Sequence, residues 1–233
     1  QQIDALGRVT RWEYDAMGRQ TRRILPGGQS ESMQYNAAGE LVAKTDFNGV
    51  TTRYSYDAAG RLAGVDYASD ADVVTTYTPS GQRESVTDGQ GTTVYQVDAR
   101  DRLVHVSYPD GAAIAYGFDA AGNRTSLRSP SLDQRFVFDD LNRLESVHSR
   151  VLGGSERVVA YGYDDVGNRT GLTQADGTTT TTRFDERNRL RELLTRTAAG
   201  VLLFGATYEV DASGARTGSG EFNATGPTRS VGY

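Results

Sequence analysis

The sequence predicts an all-β protein made of continuous antiparallel β-hairpin repeats. An aromatic or apolar anchor recurs about every 21 residues along almost the whole chain. A residue that tolerates positive φ follows each anchor four positions later, and the residues before each anchor alternate with period two. About ten copies of this unit can be counted. The clearest of them reads Tyr56-Asp57-Ala58-Ala59-Gly60-Arg61-Leu62.

The anchors predict one half-buried strand per copy. They are Tyr14, Tyr35, Tyr56, Tyr77, Val97, Phe118, Phe138, Tyr163, Phe184 and Val210. The residue two positions before the anchor is often aromatic as well, as Trp12, Tyr54 and Tyr116 are. Side chains two apart on a strand share a face. We therefore expect Tyr54 with Tyr56, and Tyr116 with Phe118, to lie on one face and to stack against the equivalent rings of neighbouring repeats.

Each anchor leads into a predicted turn. An Asp or Asn usually opens it, as Asp15, Asp57, Asp119 and Asp164 do, and such a side chain can bond the backbone two residues on. The expected positive-φ positions are Gly18, Gly39, Gly60, Gly81, Asp101, Gly122, Asn142, Gly167, Asn188 and Gly214. Other residue types lose roughly 1–2 kcal/mol in this conformation. The pattern is typical of a type I turn that closes into a left-handed residue.

A second set of turns links the hairpins into a meander. These turns are marked by Gly, Pro and Asp at residues 4–7, 26–28, 46–49, 88–91, 110–111 and 176–177. Longer anchor spacings predict extended surface loops near residues 151–155 and 198–201. A short run at 187–195 is ambiguous between helix and strand.

The strand count predicts a sheet that coils. Roughly 20 strands at ~4.8 Å spacing would make a sheet about 100 Å wide, more than a twisted open sheet normally tolerates. A β-propeller is the rival fold, because two repeats could form a four-stranded blade. The units look alike, without two-unit alternation, which argues against blades. We expect one array over residues 1–233 that interrupts the repeat at both ends, as a segment of a longer polypeptide would.

Charge and composition favour a structural role. The net charge is −5, and the basic residues are almost all Arg, with Lys44 as the only Lys. Arginines are dispersed among acidic residues, which indicates a salt-bridged rim and no nucleic-acid surface. His105 and His148 are isolated on predicted returning strands, and no Cys is present. The sequence contains no long apolar run, so we expect no membrane insertion by this segment.

No catalytic or metal-binding motif emerges from the chain. HExxH, GxSxG, phosphate-loop and calcium-nonapeptide patterns are all absent from the sequence. The turn aspartates have a complete explanation in turn chemistry, so we predict no enzyme activity, no metal and no cofactor. The aromatic stripe could instead form a sugar-stacking platform, although a packed cross-strand ladder is the more common outcome.

The repeat unit resembles the RHS/YD-repeat family. Its Y-D-x-x-G-R-L turn, preceded by D-x-x-G-x-x-T-x-Y, matches residues 46–62 in both halves, and the resemblance covers essentially the entire chain. It implies a β-ribbon that spirals into a hollow shell, a cocoon around a toxic polypeptide. Members include Tc toxin components, bacterial polymorphic toxins of interbacterial competition and animal teneurins. The family's self-cleaving core, which carries an Asp-Pro motif, has no counterpart, because the chain contains no Asp-Pro dipeptide.

The resemblance implies a structural, encapsulating segment of an exported protein, secreted or at the cell surface. Its expected partners are the rest of the shell and an enclosed C-terminal toxin or other cargo, with no nucleic acid. The alternative is an extracellular carbohydrate-binding or adhesion module that uses exposed aromatic rings such as Trp12 and Tyr54.

Overall fold

The computed structural model describes residues 1–68 and 70–232, and it is all-β. The chain divides into two compact units, Gln1–Ala113 and Ile114–Tyr233. No helix long and apolar enough to cross a membrane occurs among the described residues. The ambiguous run at 187–195 is resolved as a turn followed by a strand.

The first unit is an antiparallel meander in which each strand pairs with the next. Its strands are β1 (Gln2–Ile3), β2 (Val9–Tyr14), β3 (Gln20–Ile24), β4 (Ser30–Tyr35), β5 (Leu41–Thr45), β6 (Thr51–Tyr56), β7 (Leu62–Tyr67), β8 (Val73–Tyr77), β9 (Arg83–Asp88), β10 (Gly91–Val97) and β11 (Leu103–Ser107).

The second unit repeats the same organisation, with consecutive strands again paired antiparallel. Its strands are β12 (Ala113–Phe118), β13 (Arg124–Arg128), β14 (Leu132–Phe138), β15 (Leu144–Val151), β16 (Arg157–Tyr163), β17 (Arg169–Thr173), β18 (Thr179–Phe184), β19 (Leu190–Arg196), β20 (Leu202–Val210), β21 (Arg216–Asn223) and β22 (Gly226–Gly232). Pairing within each unit is not broken into four-stranded blades, so the propeller alternative is wrong.

The anchor turns form as the sequence predicts. In the turn after Tyr56, the Gly60 N–H donates to the Asp57 carbonyl at 3.0 Å, and the Asp57 N–H donates to the Arg61 carbonyl at 2.9 Å. The Asp57 carboxylate also accepts from the N–H groups of Ala59 and Arg61, at 2.9 and 3.0 Å. All ten expected positions have positive φ, including +76° at Gly60. Among the described residues, the non-glycine cases are Asp101, Asn142 and Asn188, at 58°, 59° and 60°.

Every anchor also marks a shift in strand register. Tyr56 lies opposite Leu62, whereas the preceding Ser55 lies opposite Gly64, so the returning strand carries one extra residue. The same shift occurs at each of the other anchors. Such bulges bend a strand and strengthen its local twist. The sequence pattern alone did not predict them.

Each unit is a single layer of sheet. Within a unit, strands among the described residues contact only the strands next to them in sequence, so no second layer covers either face. Only Val106 and Ala206 are buried apolar residues in the described part of the chain. Tyr54 and Tyr56 are half-buried, whereas Arg53 before them and Ser55 between them are exposed. This pattern agrees with the predicted common face of the two tyrosines. The units therefore have a half-covered aromatic face in place of a closed core.

Two sequence-based expectations about local structure are corrected. Residues 198–201 do not form an extended loop, because the Gly200 N–H bonds the Thr197 carbonyl at 2.9 Å in another tight turn. The additional residues lengthen β19 and β20 instead. The anchor Tyr14 is 60% exposed, unlike the half-buried later anchors, because the strand before it, β1, spans only two residues.

Candidate functional site

The most organised chemistry in the chain is a contact network that joins successive hairpins. Arg143, which closes the turn after Phe138, donates from Nε to its own turn carboxylate, Asp139 Oδ2, at 2.7 Å. It also donates from Nη1 to the carbonyl of Asp164 in the next turn, at 2.9 Å. The guanidinium lies 4.7 Å from the ring centroid of Tyr163, the next anchor. One arginine side chain thus links two hairpins by three contacts, and we call this arrangement the arginine clamp.

The clamp recurs in the first unit with the same geometry. Arg19 lies 4.7 Å from the Tyr35 ring and donates to the Asn36 carbonyl at 3.4 Å. Arg61 lies 4.5 Å from the Tyr77 ring and donates to the Thr78 carbonyl at 3.2 Å. A guanidinium over an aromatic face is attracted by the ring quadrupole. The salt-bridged rim expected from the sequence is therefore present, but it also holds neighbouring repeats together.

The hydroxyl of a tyrosine anchor makes a further link to the preceding hairpin. We call the position that the arginine occupies in the clamped hairpins the clamp position. The tyrosine hydroxyl donates to the backbone carbonyl of the residue that follows the clamp position of the preceding hairpin. The pairs are Tyr35 with Gln20 at 3.0 Å, Tyr56 with Leu41 at 2.9 Å, Tyr77 with Leu62 at 2.8 Å, and Tyr163 with Leu144 at 2.9 Å. Burial, followed by the nearby Glu40 carboxylate, raises the pKa of Tyr56 above its ordinary value. The anchors Phe118, Phe138 and Phe184 carry no hydroxyl for this bond.

The last eight repeats alternate in the two residues that close the anchor turn. Arg-Leu pairs occupy 61–62, 102–103, 143–144 and 189–190, whereas pairs ending in Arg occupy 82–83, 123–124, 168–169 and 215–216. In the second class the arginine lies near a ring of its own hairpin or of the next one. Arg169 lies 5.9 Å from Tyr161 of its own hairpin. Arg124 lies 5.9 Å from Tyr116 of its own hairpin and 5.2 Å from Phe136 of the next. The expectation that the units lack two-unit alternation is therefore wrong, and the difference is visible in the sequence.

Asparagine replaces the clamp arginine in two hairpins of the second class. Asn123 and Asn168 donate from Nδ2 to the side-chain oxygens of Asn142 and Asn188, both at 2.9 Å. These acceptors are positive-φ residues of the following turns. Successive turns thus remain connected even where the arginine is missing.

The turn carboxylates are held in their ionised form. Bonds from the N–H groups and side chains of the same turn lower the pKa values of Asp15, Asp57, Asp119 and Asp164. The side-chain bond from Arg102 leads the causes that lower the pKa of Asp98 to about 2. These carboxylates already have satisfied partners, which is the arrangement of a structural turn residue.

We expect stability to decline in acid because of these aspartates. A carboxyl whose pKa is lowered in the folded state contributes stability that is fully present above its unfolded pKa, about 3.9. That stability is lost as the pH falls through the folded value, about 2 for Asp98. Urea denaturation at pH 7, 5, 3 and 2 should show a midpoint that these groups leave unchanged with pH above pH 5, where their contribution is complete, and a falling midpoint below pH 4. An Asp98→Asn variant should show a shallower decline, and equal slopes would contradict this assignment.

The two histidines lie on returning strands, as expected. His105 on β11 has Nδ1 3.2 Å from Ser107 Oγ. His148 on β15 lies near Ser146 and Glu156, at 3.3 and 3.4 Å. Among residues 1–68 and 70–232, no group of three His, Cys, Asp or Glu side chains is placed to hold a metal ion.

Comparison with known proteins identifies the class of repeat. The RHS Repeat family model matches residues 1–30, 35–72 and 97–131. These matches cover 103 of the 233 residues, and they confirm the resemblance to RHS repeats seen in the turn motifs. No curated protein sequence matches the chain.

Solved structures share the fold at low sequence identity. A crystal structure of TcdB2-TccC3-Cdc42 is 16% identical, with a TM-score of 0.62 over 92% of this chain and 12% of that one. A crystal structure of TcdB2-TccC3 without its hypervariable C-terminal region is 14% identical, with a TM-score of 0.51 over 95% of this chain and 17% of that one. A structure of a Photorhabdus luminescens Tc holotoxin pore is 13% identical, with a TM-score of 0.52 over 95% of this chain and 17% of that one. The chain thus spans less than a fifth of the length of these structures.

Proposed function

We propose that this chain forms part of the wall of an RHS shell that encloses a toxin or another cargo polypeptide. The observation that carries the proposal is the single layer of sheet in each unit, whose aromatic face is half-covered and has no second layer within the unit. A globular domain normally buries such a face against a packed second layer. A wall instead needs firm contacts along the ribbon, which the arginine clamps and tyrosine hydroxyls supply.

The proposed mechanism is steric and not catalytic. The shell would keep the cargo apart from solvent and from the producing cell until release, so the segment itself would need no nucleophile, base or metal. The short span of the chain relative to the matched structures supports the idea that other repeats complete the compartment. The match to the RHS Repeat family model supports an exported protein, secreted or displayed at the cell surface, of the polymorphic-toxin type.

Protease protection tests the proposal. The longer polypeptide that contains these repeats should be digested with thermolysin while the cargo segment is followed by immunoblot. We expect the cargo to be resistant in the intact polypeptide and to become sensitive when the β16–β17 hairpin, residues 157–173, is deleted. A Val166→Ser change at an exposed turn tip should leave protection intact, because that side chain is 69% exposed. Equally rapid cleavage of the cargo in all three proteins would refute encapsulation.

Carbohydrate binding is a second candidate, supported by a few exposed rings. Tyr14, Tyr67 and Tyr108 are 60%, 41% and 40% exposed and could stack on sugars. Trp12 and Tyr54 are half-buried and offer less free ring surface. A glycan array should show saturable binding that Tyr14→Ala or Tyr67→Ala abolishes if this function exists, and no such binding if the rings only pack.

A further inference from the structure

One repeat of the second unit has a clamp without a ring beneath it. Val210 occupies the anchor position that Tyr35, Tyr77 and Tyr163 occupy elsewhere. A hollow of about 520 Å³ opens there, lined by Arg189, Leu190, Val210, Gly214 and Arg216. The volume is within the range of small-molecule and side-chain binding pockets.

The groups that hold a tyrosine in other repeats remain in place around this hollow. Arg189 is the clamp arginine, and it is fixed by Asp185 Oδ2 at 2.8 Å and by the Asp211 carbonyl at 2.7 Å. The Leu190 carbonyl occupies the position that accepts the tyrosine hydroxyl in the Tyr163 hairpin, where the acceptor is Leu144. Replacement of the ring by the smaller Val210 therefore leaves both recognition groups without the side chain that they bind elsewhere.

The remaining walls suit an electron-rich ring. Leu190 and Val210 are apolar, and the exposed Arg216 guanidinium lies 4.4 Å from the Tyr208 ring at the rim. Cations attract the negative face of an aromatic ring, and a phenol hydroxyl can donate to a backbone carbonyl. The hollow thus combines an apolar floor, a cationic cover and a carbonyl acceptor.

We propose that this hollow binds the phenol ring of a tyrosine side chain presented by a partner polypeptide. The inserted ring would lie beneath Arg189, with its hydroxyl donating to the Leu190 carbonyl, as the chain's own tyrosines do in three clamped repeats. The inference goes beyond the shell proposal, because it names one side-chain site and stands on the geometry of the second unit alone.

The first unit contains a natural comparison for this site. Val97 is the other valine anchor, and a hollow of about 390 Å³ lies beside it, lined by Gln82, Arg83 and Leu103 among others. The clamp position there is Gln82, so no arginine of the clamp class covers the space. We expect tyrosine side chains to bind this hollow more weakly than the one at Val210.

Methyl-detected NMR of the chain tests the proposal with N-acetyl-L-tyrosinamide as the probe. We expect saturable shifts of the Leu190 and Val210 methyl signals, with Kd in roughly the millimolar range for so small a ligand. N-acetyl-L-phenylalaninamide should bind about three- to tenfold more weakly because it lacks the hydroxyl, and N-acetyl-L-leucinamide should not shift these signals. Equal responses to all three probes, or no response to any, would overturn the proposal.

Three variants separate the site from general surface binding. Val210→Tyr should fill the hollow from within, abolish the shifts at Leu190 and raise the melting temperature by roughly 2–5 °C. Val97→Tyr, the matched control, should leave binding at Val210 unchanged. Arg189→Lys should weaken binding while the Leu190 and Val210 signals keep their native dispersion, because lysine lacks the planar guanidinium. Retention of full binding in Val210→Tyr would also overturn the proposal.

Discussion

Replacement of Gly60 by Val is expected to lower the free energy of unfolding far more than replacement of Ala59 by Val. Gly60 has φ of +76°, a region in which a β-branched side chain is strained. The strain alone is worth about 1–2 kcal/mol. A Cβ at this position would also lie 3.0 Å from Glu40 Oε1, whose side chain would have to move. Urea denaturation monitored by circular dichroism gives both differences in stability.

Ala59 is the matched control because it lies in the same exposed turn without positive φ. A Gly60→Asn variant should recover part of the lost stability, since Asn142 and Asn188 hold the equivalent conformation at φ of 59° and 60°. Equal midpoint shifts for Gly60→Val and Ala59→Val would contradict the turn assignment.

Loss of the Arg143 clamp is the second large effect that we expect. Arg143→Ala removes the hydrogen bond to the Asp164 carbonyl and the contact with the Tyr163 ring, which together are worth about 1–2 kcal/mol. Arg143→Lys should restore little, because an ammonium cannot reproduce the fork that reaches two turns. The comparison is made by urea denaturation at constant pH and salt.

Arg183 provides the control for the clamp. It is 79% exposed on its side chain and pairs with Glu192 only at 3.8 Å. An exposed pair of this kind contributes little, so Arg183→Ala should change stability by less than about 0.5 kcal/mol. The clamp has no special role in stability if the two alanine variants are equally stable.

The turns could be predicted from sequence because each depends on local chemistry. Gly60 and Asn142 are needed where φ is positive, and Asp57 bonds N–H groups within four residues of itself. Period-two alternation likewise predicts that Tyr54 and Tyr56 share one face, and both are half-buried. Local signals of this kind survive in a single sequence.

The clamps could not be predicted in the same way because they join residues about twenty positions apart through a register shift. Arg143 looks like a solvated surface arginine until the bulge beside Phe138 and the next anchor, Tyr163, are placed. The alternation of Arg-Leu with pairs such as Asn168-Arg169 is present in the sequence and would have indicated two hairpin classes. The hollow at Val210 follows only when the clamp geometry is known.

The network also gives the repeats a reason to be stable without a core. Four tyrosine anchors, Tyr35, Tyr56, Tyr77 and Tyr163, are held at the tip by a carbonyl of the hairpin before them. In the clamped repeats the face of the ring is covered by an arginine of that hairpin as well. Contacts between nearest neighbours are the main source of stability in repeat arrays. A ribbon built in this way can carry a half-covered aromatic face without a second layer of sheet, as the wall of a compartment would require.

Electron cryo-microscopy of the longer polypeptide that contains these repeats is the most direct test of the proposed encapsulating role. We expect a closed hollow particle in which the strands of this chain form a single-layered part of the wall, with density for a second polypeptide segment inside. An extended rod, or a solid particle in which the aromatic face packs against a second sheet of the same polypeptide, would contradict the account.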